Sequence, residues 1–147
     1  MAQGIHTELT FERAIEESLL EKGGYTKGFS EDFDAQTGLF PSYIINFLKE
    51  SQPLLWGKLA NIHKDEVDKK VMQRLIKEID LRGVLDVIRN GFTDYGVKFQ
   101  MAFFKPESTL NPDAEVLYNK NNLSVIRQVD YERVGKNSLD MVFALNG

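Results

Sequence analysis

The final eleven residues, Asn137–Gly147, constrain the fold more than any other part of the chain. From Leu139 to Leu145 nearly every position is apolar, at both phases of the two-residue strand repeat. Alternate side chains of a strand point to opposite sides of its sheet, so this pattern predicts a strand buried on both faces. One carboxylate, Asp140, stands at its start. The run ends in Asn146-Gly147, the residue pair that most strongly signals a two-residue hairpin turn. A hairpin needs a second strand, so the pattern predicts an N-terminal fragment of a longer unit.

Composition narrows the class. A chain of 147 residues is one domain of ordinary size, able to bury a core, and 42% apolar with 27% charged residues makes it globular. A net charge of −4 argues against a stand-alone DNA clamp, which needs a basic face. It leaves room for an acidic pocket that meets DNA held by other domains. Without cysteine there is no disulfide framework and no thiolate metal site, which fits a cytoplasmic location. The N-terminus carries no visible secretory signal, and no apolar run approaches the roughly 18 residues of a membrane span.

The chain divides into three stretches. Residues 1–40 open with a helix predicted from about Phe11 to Lys22 and capped by Thr10. Phe11, Ile15 and Leu19, with Ala14 beside them, form its expected apolar stripe. Gly23-Gly24 ends it. Tyr25 to Pro41 is a glycine- and acid-rich loop, long enough to suggest a functional or partner-contacting segment. Residues 41–90 read as helical. Pro41 suits a first helical position, with Tyr43, Ile44, Phe47 and Leu48 on one face. Pro53 breaks that helix, and a short segment around Trp56 and Leu59 follows. Asp65 is expected to cap a long helix lined by Val67, Val71, Leu75 and Ile79. After Gly83 the pattern continues helically to Asn90-Gly91. The third stretch looks like a sheet. Val97–Phe104 is read as a strand with Val97, Phe99, Met101 and Phe103 on one face. Asn111-Pro112 opens a short helix that Asn121-Asn122 ends. Leu123–Tyr131 alternates as a half-buried strand, and a turn near Gly135-Lys136 leads into the Asp140 strand. Helices first and strands last predict a single α+β domain over residues 1–147, helical over 10–90 and forming a mostly antiparallel sheet over 97–147.

Several chemistries are missing. The sequence has no glycine-rich phosphate loop ending in Lys-Ser or Lys-Thr, no His-Glu-x-x-His and no Gly-x-Ser-x-Gly. His6 and His63 stand far apart beside expected helix starts and read as ordinary surface residues. What remains is carboxylate chemistry. Phosphodiester hydrolysis needs a divalent cation to polarise the phosphate and activate water. Mg2+ prefers oxygen ligands and is commonly held by one or two carboxylates plus substrate phosphate. Asp140, at a strand end, would be one rigidly placed ligand, although spacing alone reads it as a polar residue at a strand terminus. Glu12, Glu16 and Glu17 on the first helix offer a second carboxylate. Glu12 and Glu16 lie one turn apart, and the simpler expectation for them is a solvated helix face.

Four separated segments carry a family likeness. His6–Tyr25 (HTELTFERAIEESLLEKGGY), Val97–Pro106 (VKFQMAFFKP) followed by Leu110-Asn-Pro112, Arg127-Gln-Val, and Asn137–Gly147 (NSLDMVFALNG) occur in that order. Together they resemble the N-terminal part of the R (restriction and motor) subunit of type I restriction-modification enzymes, over nearly the whole chain. The resemblance implies an incomplete restriction-endonuclease-like domain of the PD-(D/E)xK type. It maps Asp140 onto the family's first metal-binding aspartate and Glu12, or else Glu16, onto the first-helix glutamate. The family's Glu-x-Lys pair would lie on a strand after the Asn146-Gly147 turn. The implied activity is Mg2+-dependent DNA cleavage, within a parent protein that translocates DNA using ATP bound outside this chain. The implied partners are double-stranded DNA and the methyltransferase and specificity subunits. On this reading the 147-residue chain alone is inactive, lacking the lysine and one carboxylate. Two other readings stand beside it. One is a non-catalytic docking domain that meets the methyltransferase core through the Tyr25–Pro41 loop and the helices after it. The other is a small interaction protein whose C-terminal strand pairs with a partner chain.

Overall fold

The computed structural model describes residues 2–131 and 138–147, without the side chains of residues 2–6. The reading of His6 and the turn expected near Gly135-Lys136 therefore lie outside the described residues. In chain order the elements are α1 (Ala2–Lys22), β1 (Thr26–Lys27), α2 (Pro41–Ser51), α3 (Pro53–His63), α4 (Val67–Arg82), α5 (Val84–Asn90), β2 (Phe92–Asp94), β3 (Val97–Phe99), α6 (Pro112–Tyr118), β4 (Leu123–Asp130) and β5 (Ser138–Leu145). The fold is mixed α+β, with helices dominating the N-terminal half and small, mainly antiparallel sheets after it. Among the described residues, no helix is long and apolar enough to cross a membrane.

The chain packs as two compact units. One comprises residues 1–40, 122–145 and 147, and the other residues 41–121 and 146.

In the first unit α1 begins well before Phe11, so Thr10 lies inside the helix and does not cap it. No proline interrupts the segment before Thr10, and a threonine caps only where the backbone ahead of it leaves the helix. The helix ends where expected. Gly23 N–H donates to Leu19 O at 3.0 Å, and Gly24 takes a φ of 73°, which glycine adopts without a Cβ clash. The following loop is structured. It contains β1, a single 3-10 turn at Ser30–Asp32, and a tight turn in which the Asp34 carboxylate accepts from Gln36 N–H and Thr37 Oγ1, both at 3.0 Å.

The sheet of this unit has the order β1-β4-β5. β1 runs parallel to β4, pairing Thr26 with Ser124, and β5 runs antiparallel, pairing Leu123 with Leu145 and Asp130 with Ser138. β4 is therefore the central strand, and Ser124, Val125, Ile126 and Val129 are all buried. β5 corrects an expectation: it is an edge strand, not one buried on both faces. Leu139, Phe143 and Leu145 are exposed, and of its residues only Ala144 is buried. A strand with one neighbour lacks the covering its apolar pattern calls for. After β5, Asn146 and Gly147 take φ values of 57° and 96°, both positive as a type I′ turn requires.

In the second unit, prolines open three of the helices, α2, α3 and α6. Pro41 starts α2 and Pro53 starts α3, and Ile44, Phe47, Leu48, Trp56 and Leu59 are buried. In α4 Val71 and Leu75 are buried as the spacing predicts, while Val67 and Ile79 are half-buried. Asp65 does not cap this helix. It lies within a 3-10 turn, Lys64–Glu66, that precedes α4. The strand expected over Val97–Phe104 stops at Phe99 and pairs with β2, a strand the sequence pattern does not predict. Burial at Val97, Phe99, Met101 and Phe103 follows the predicted phase. The ladder ends because the Gln52 side chain takes the backbone of Gln100. Gln100 N–H donates to Gln52 Oε1 at 2.8 Å, and Gln52 Nε2 donates to Gln100 O at 2.9 Å. The Asn111 cap forms as expected, its Oδ1 accepting from Ala114 N–H at 3.3 Å. α6 ends at Tyr118, ahead of Asn121, whose carboxamide instead bonds both backbone groups of Phe103. His63 is not a surface residue: its side chain is 8% exposed, with Nε2 2.9 Å from Asp94 Oδ2. At the α4–α5 junction Arg82 donates to Asp86 at 2.7 Å and holds that carboxyl below the usual carboxylate range, helped by Asn90.

Candidate metal centre

The site is built on α1 and the two long strands of the first unit. The buried face of α1 differs from the expected one. Phe11 is 67% exposed, whereas Glu12 and Glu16 are 7% and 6% exposed. These two glutamates are not a solvated face, and the reason lies across the chain in β4. Arg127 sits between Val125 and Val129 on a central strand, where an unpaired charge would be costly. Its Nη2 lies 3.5 Å from Glu12 Oε2 and its Nη1 lies 3.9 Å from Glu16 Oε1. Lys27 Nζ approaches Glu16 Oε1 at 4.0 Å. Charge pairing thus turns the glutamates inward and leaves Phe11 outside.

Gln128 gives Glu12 a further donor, Nε2 to Oε2 at 3.0 Å. Its φ is 56°, a conformation that disfavours a non-glycine residue. The β4–β5 pairing is interrupted there, between Arg127↔Met141 and Val129↔Leu139, where Gln128 would face Asp140. Glu12 therefore has two described partners, and both fall on Oε2.

Asp140 and Glu12, from opposite ends of the chain, come together with Glu8. One carboxylate oxygen from each lies within 4.8 Å of the others. Glu8 and Asp140 are exposed and Glu12 is buried. Glu16 stands apart from this trio on the Arg127 side, and Glu17 points to solvent. The donor set suits a hard divalent cation, since all three ligands are carboxylate oxygens. Around Mg2+, adjacent oxygens lie about 3.0 Å apart and opposite ones about 4.2 Å, from metal–oxygen distances of about 2.1 Å, so the three side chains would close in to share one ion.

Glu8, Arg127 and Gln128 lie in segments that carry the family likeness, but neither the likeness nor the pattern gives any of them a place in the site. Glu8 and Glu12 share an i, i+4 spacing, and Arg127 interrupts an apolar phase. A charge at a buried strand position needs a partner, and that was the available signal. Comparison with protein-family models, with curated proteins and with solved structures finds no match to this chain.

Proposed function

We propose that this chain is part of a Mg2+-dependent DNA endonuclease domain of the kind carried by R subunits of type I restriction enzymes. The observation that supports it best is the meeting of Asp140, which the family likeness maps onto a metal ligand, with Glu12, one of the two first-helix glutamates that likeness allows, and with Glu8 as a third oxygen donor. Glu8, Glu12 and Asp140 would hold the cation, which when bound would polarise a phosphodiester and activate water. Arg127 and Gln128 fix one oxygen of Glu12 and leave Oε1 for the cation. The same reading takes double-stranded DNA as substrate and the methyltransferase and specificity subunits as partners. It assigns ATP use to other parts of a cytoplasmic parent protein. Alone, the chain is expected not to cleave DNA, because the likeness places the Glu-x-Lys pair on a strand after Gly147.

The test is a Mn2+ titration of the purified chain followed by electron paramagnetic resonance. Asp140→Ala and Glu12→Gln should each weaken binding at least about tenfold. Undiminished binding by Asp140→Ala would remove the reading.

A second reading, a protein-interaction domain, draws on the edge of β5. An eight-residue edge with exposed Leu139, Phe143 and Leu145, and with neither proline nor lysine, is a template for another strand. Val142→Lys is expected to abolish concentration-dependent association in sedimentation experiments. If association persists unchanged, β5 is not the surface involved.

A further inference from the structure

The second unit carries a pocket of about 350 Å³ formed by the end of α5, by β3 with the segment after it, and by α6. Its walls combine two chemistries. Arg89 and Lys98 bring positive charge, and neither forms an ion pair among the described residues. Among the described residues, no carboxylate lines the pocket. Asp86, one turn from Arg89 on α5, is already committed to Arg82 at 2.7 Å and Asn90 at 2.5 Å. The two cations therefore meet no opposing charge among the described residues of the cavity wall. They favour an anion there. The remaining walls are mainly apolar and aromatic, with Phe103, Phe104 and Leu117, and Asn90 adds a carboxamide that donates to Asp86. Phe104 is exposed, so its ring is open to a planar partner. Gln100 adds a carboxamide, its backbone held by Gln52 while its side chain makes no hydrogen bond among the described residues.

We propose that this pocket binds a nucleotide, with the phosphate at Arg89 and Lys98 and the base against Phe104. Each part follows from its chemistry. A guanidinium matches phosphate oxygens with a fork of donors, and an ammonium adds a compact second charge. Aromatic rings stack on any nucleobase, and a carboxamide can both donate to and accept from a base edge. The volume lies at the small end of the range for ligand pockets, which suits a single nucleotide. The source of that nucleotide is either a free mononucleotide or the phosphorylated end of a DNA strand. The proposal does not depend on the acidic cluster of the first unit.

The experiment is an NMR titration of the 147-residue chain with 5′-AMP, with adenosine, and with a trideoxynucleotide bearing or lacking a 5′-phosphate. 5′-AMP should shift the amide resonances of Arg89, Lys98 and Gln100 to Phe104, and adenosine should bind at least about tenfold more weakly. Arg89→Gln/Lys98→Gln, which changes two exposed and unpaired side chains, should lose about tenfold in affinity with its spectrum otherwise intact. Phe104→Ala should lose a similar factor for the loss of stacking. Tighter binding of the phosphorylated trinucleotide than of 5′-AMP would assign the pocket to a strand end, and the reverse order to a free nucleotide. Adenosine binding as tightly as 5′-AMP would overturn the proposal. So would undiminished affinity in the double variant, or the absence of shifts at millimolar ligand. Asp140→Ala should bind 5′-AMP as the unaltered chain does, which separates this result from the fate of the nuclease reading.

Discussion

On the proposed nuclease reading, Asp140→Ala in the parent R subunit is expected to lower DNA cleavage by at least about 100-fold while leaving ATP hydrolysis and translocation at their original rates. Loss of a group that merely orients a metal ligand already lowers affinity or activity by about 10–100-fold, and loss of the ligand itself exceeds that. The folded state should tolerate the change. Asp140 is exposed on an edge strand, and alanine fits the extended backbone there. Asp140→Asn sharpens the test, because it keeps shape and removes charge, and it should be nearly as inactive. Glu16→Gln is the contrast. Glu16 lies outside the carboxylate trio, so its replacement should alter stability more than cleavage. Cleavage that survives Asp140→Ala in a nicking assay would reduce the residue to a polar strand end, and the metal centre would go with it.

The features legible in the sequence were those decided within a few residues. Pro41, Pro53, Gly83 and Asn111 mark helix boundaries because each acts on the backbone beside it, and all four mark real ends. Val71 and Leu75 were legible because one helix face meets one core. The errors share a different cause. The phase of α1 is set by Arg127, more than a hundred residues away, and no periodicity within α1 carries that information. The end of β3 is set by Gln52, whose side chain occupies the Gln100 backbone where a ladder would continue. The buried character expected of β5 is a statement about neighbours, and a strand's own residues do not say on how many sides it is paired. The candidate site divides the same way. Asp140 and Glu12 came from family likeness, since spacing alone favoured bland readings for both. Glu8 entered only once the helix was placed against β5.

The largest stability effect is expected at Arg127. Arg127→Met should lower the unfolding free energy by about 3 kcal/mol in urea denaturation, the low end for removing one partner from a buried ion group. The low end is appropriate because the contacts, 3.5 and 3.9 Å, are longer than those of a tight bidentate pair. Arg127 Nε is also buried without a partner, so the change removes one unsatisfied donor along with the charge. The loss arises in the glutamates. Glu12 and Glu16 would remain buried, with Gln128 and Lys27 as their remaining partners among the described residues. Adding Glu12→Gln and Glu16→Gln to Arg127→Met should therefore recover most of the lost stability, a strong non-additivity expected of groups in one network. Divalent cation supplies an independent readout. A cation beside Glu12 would replace part of the missing positive charge, so Mn2+ should raise the melting temperature of Arg127→Met more than that of the unaltered chain. A loss below about 0.5 kcal/mol, the level of an ordinary surface substitution, would mean that water already satisfies the two glutamates. The inward turn of α1 would then need another cause.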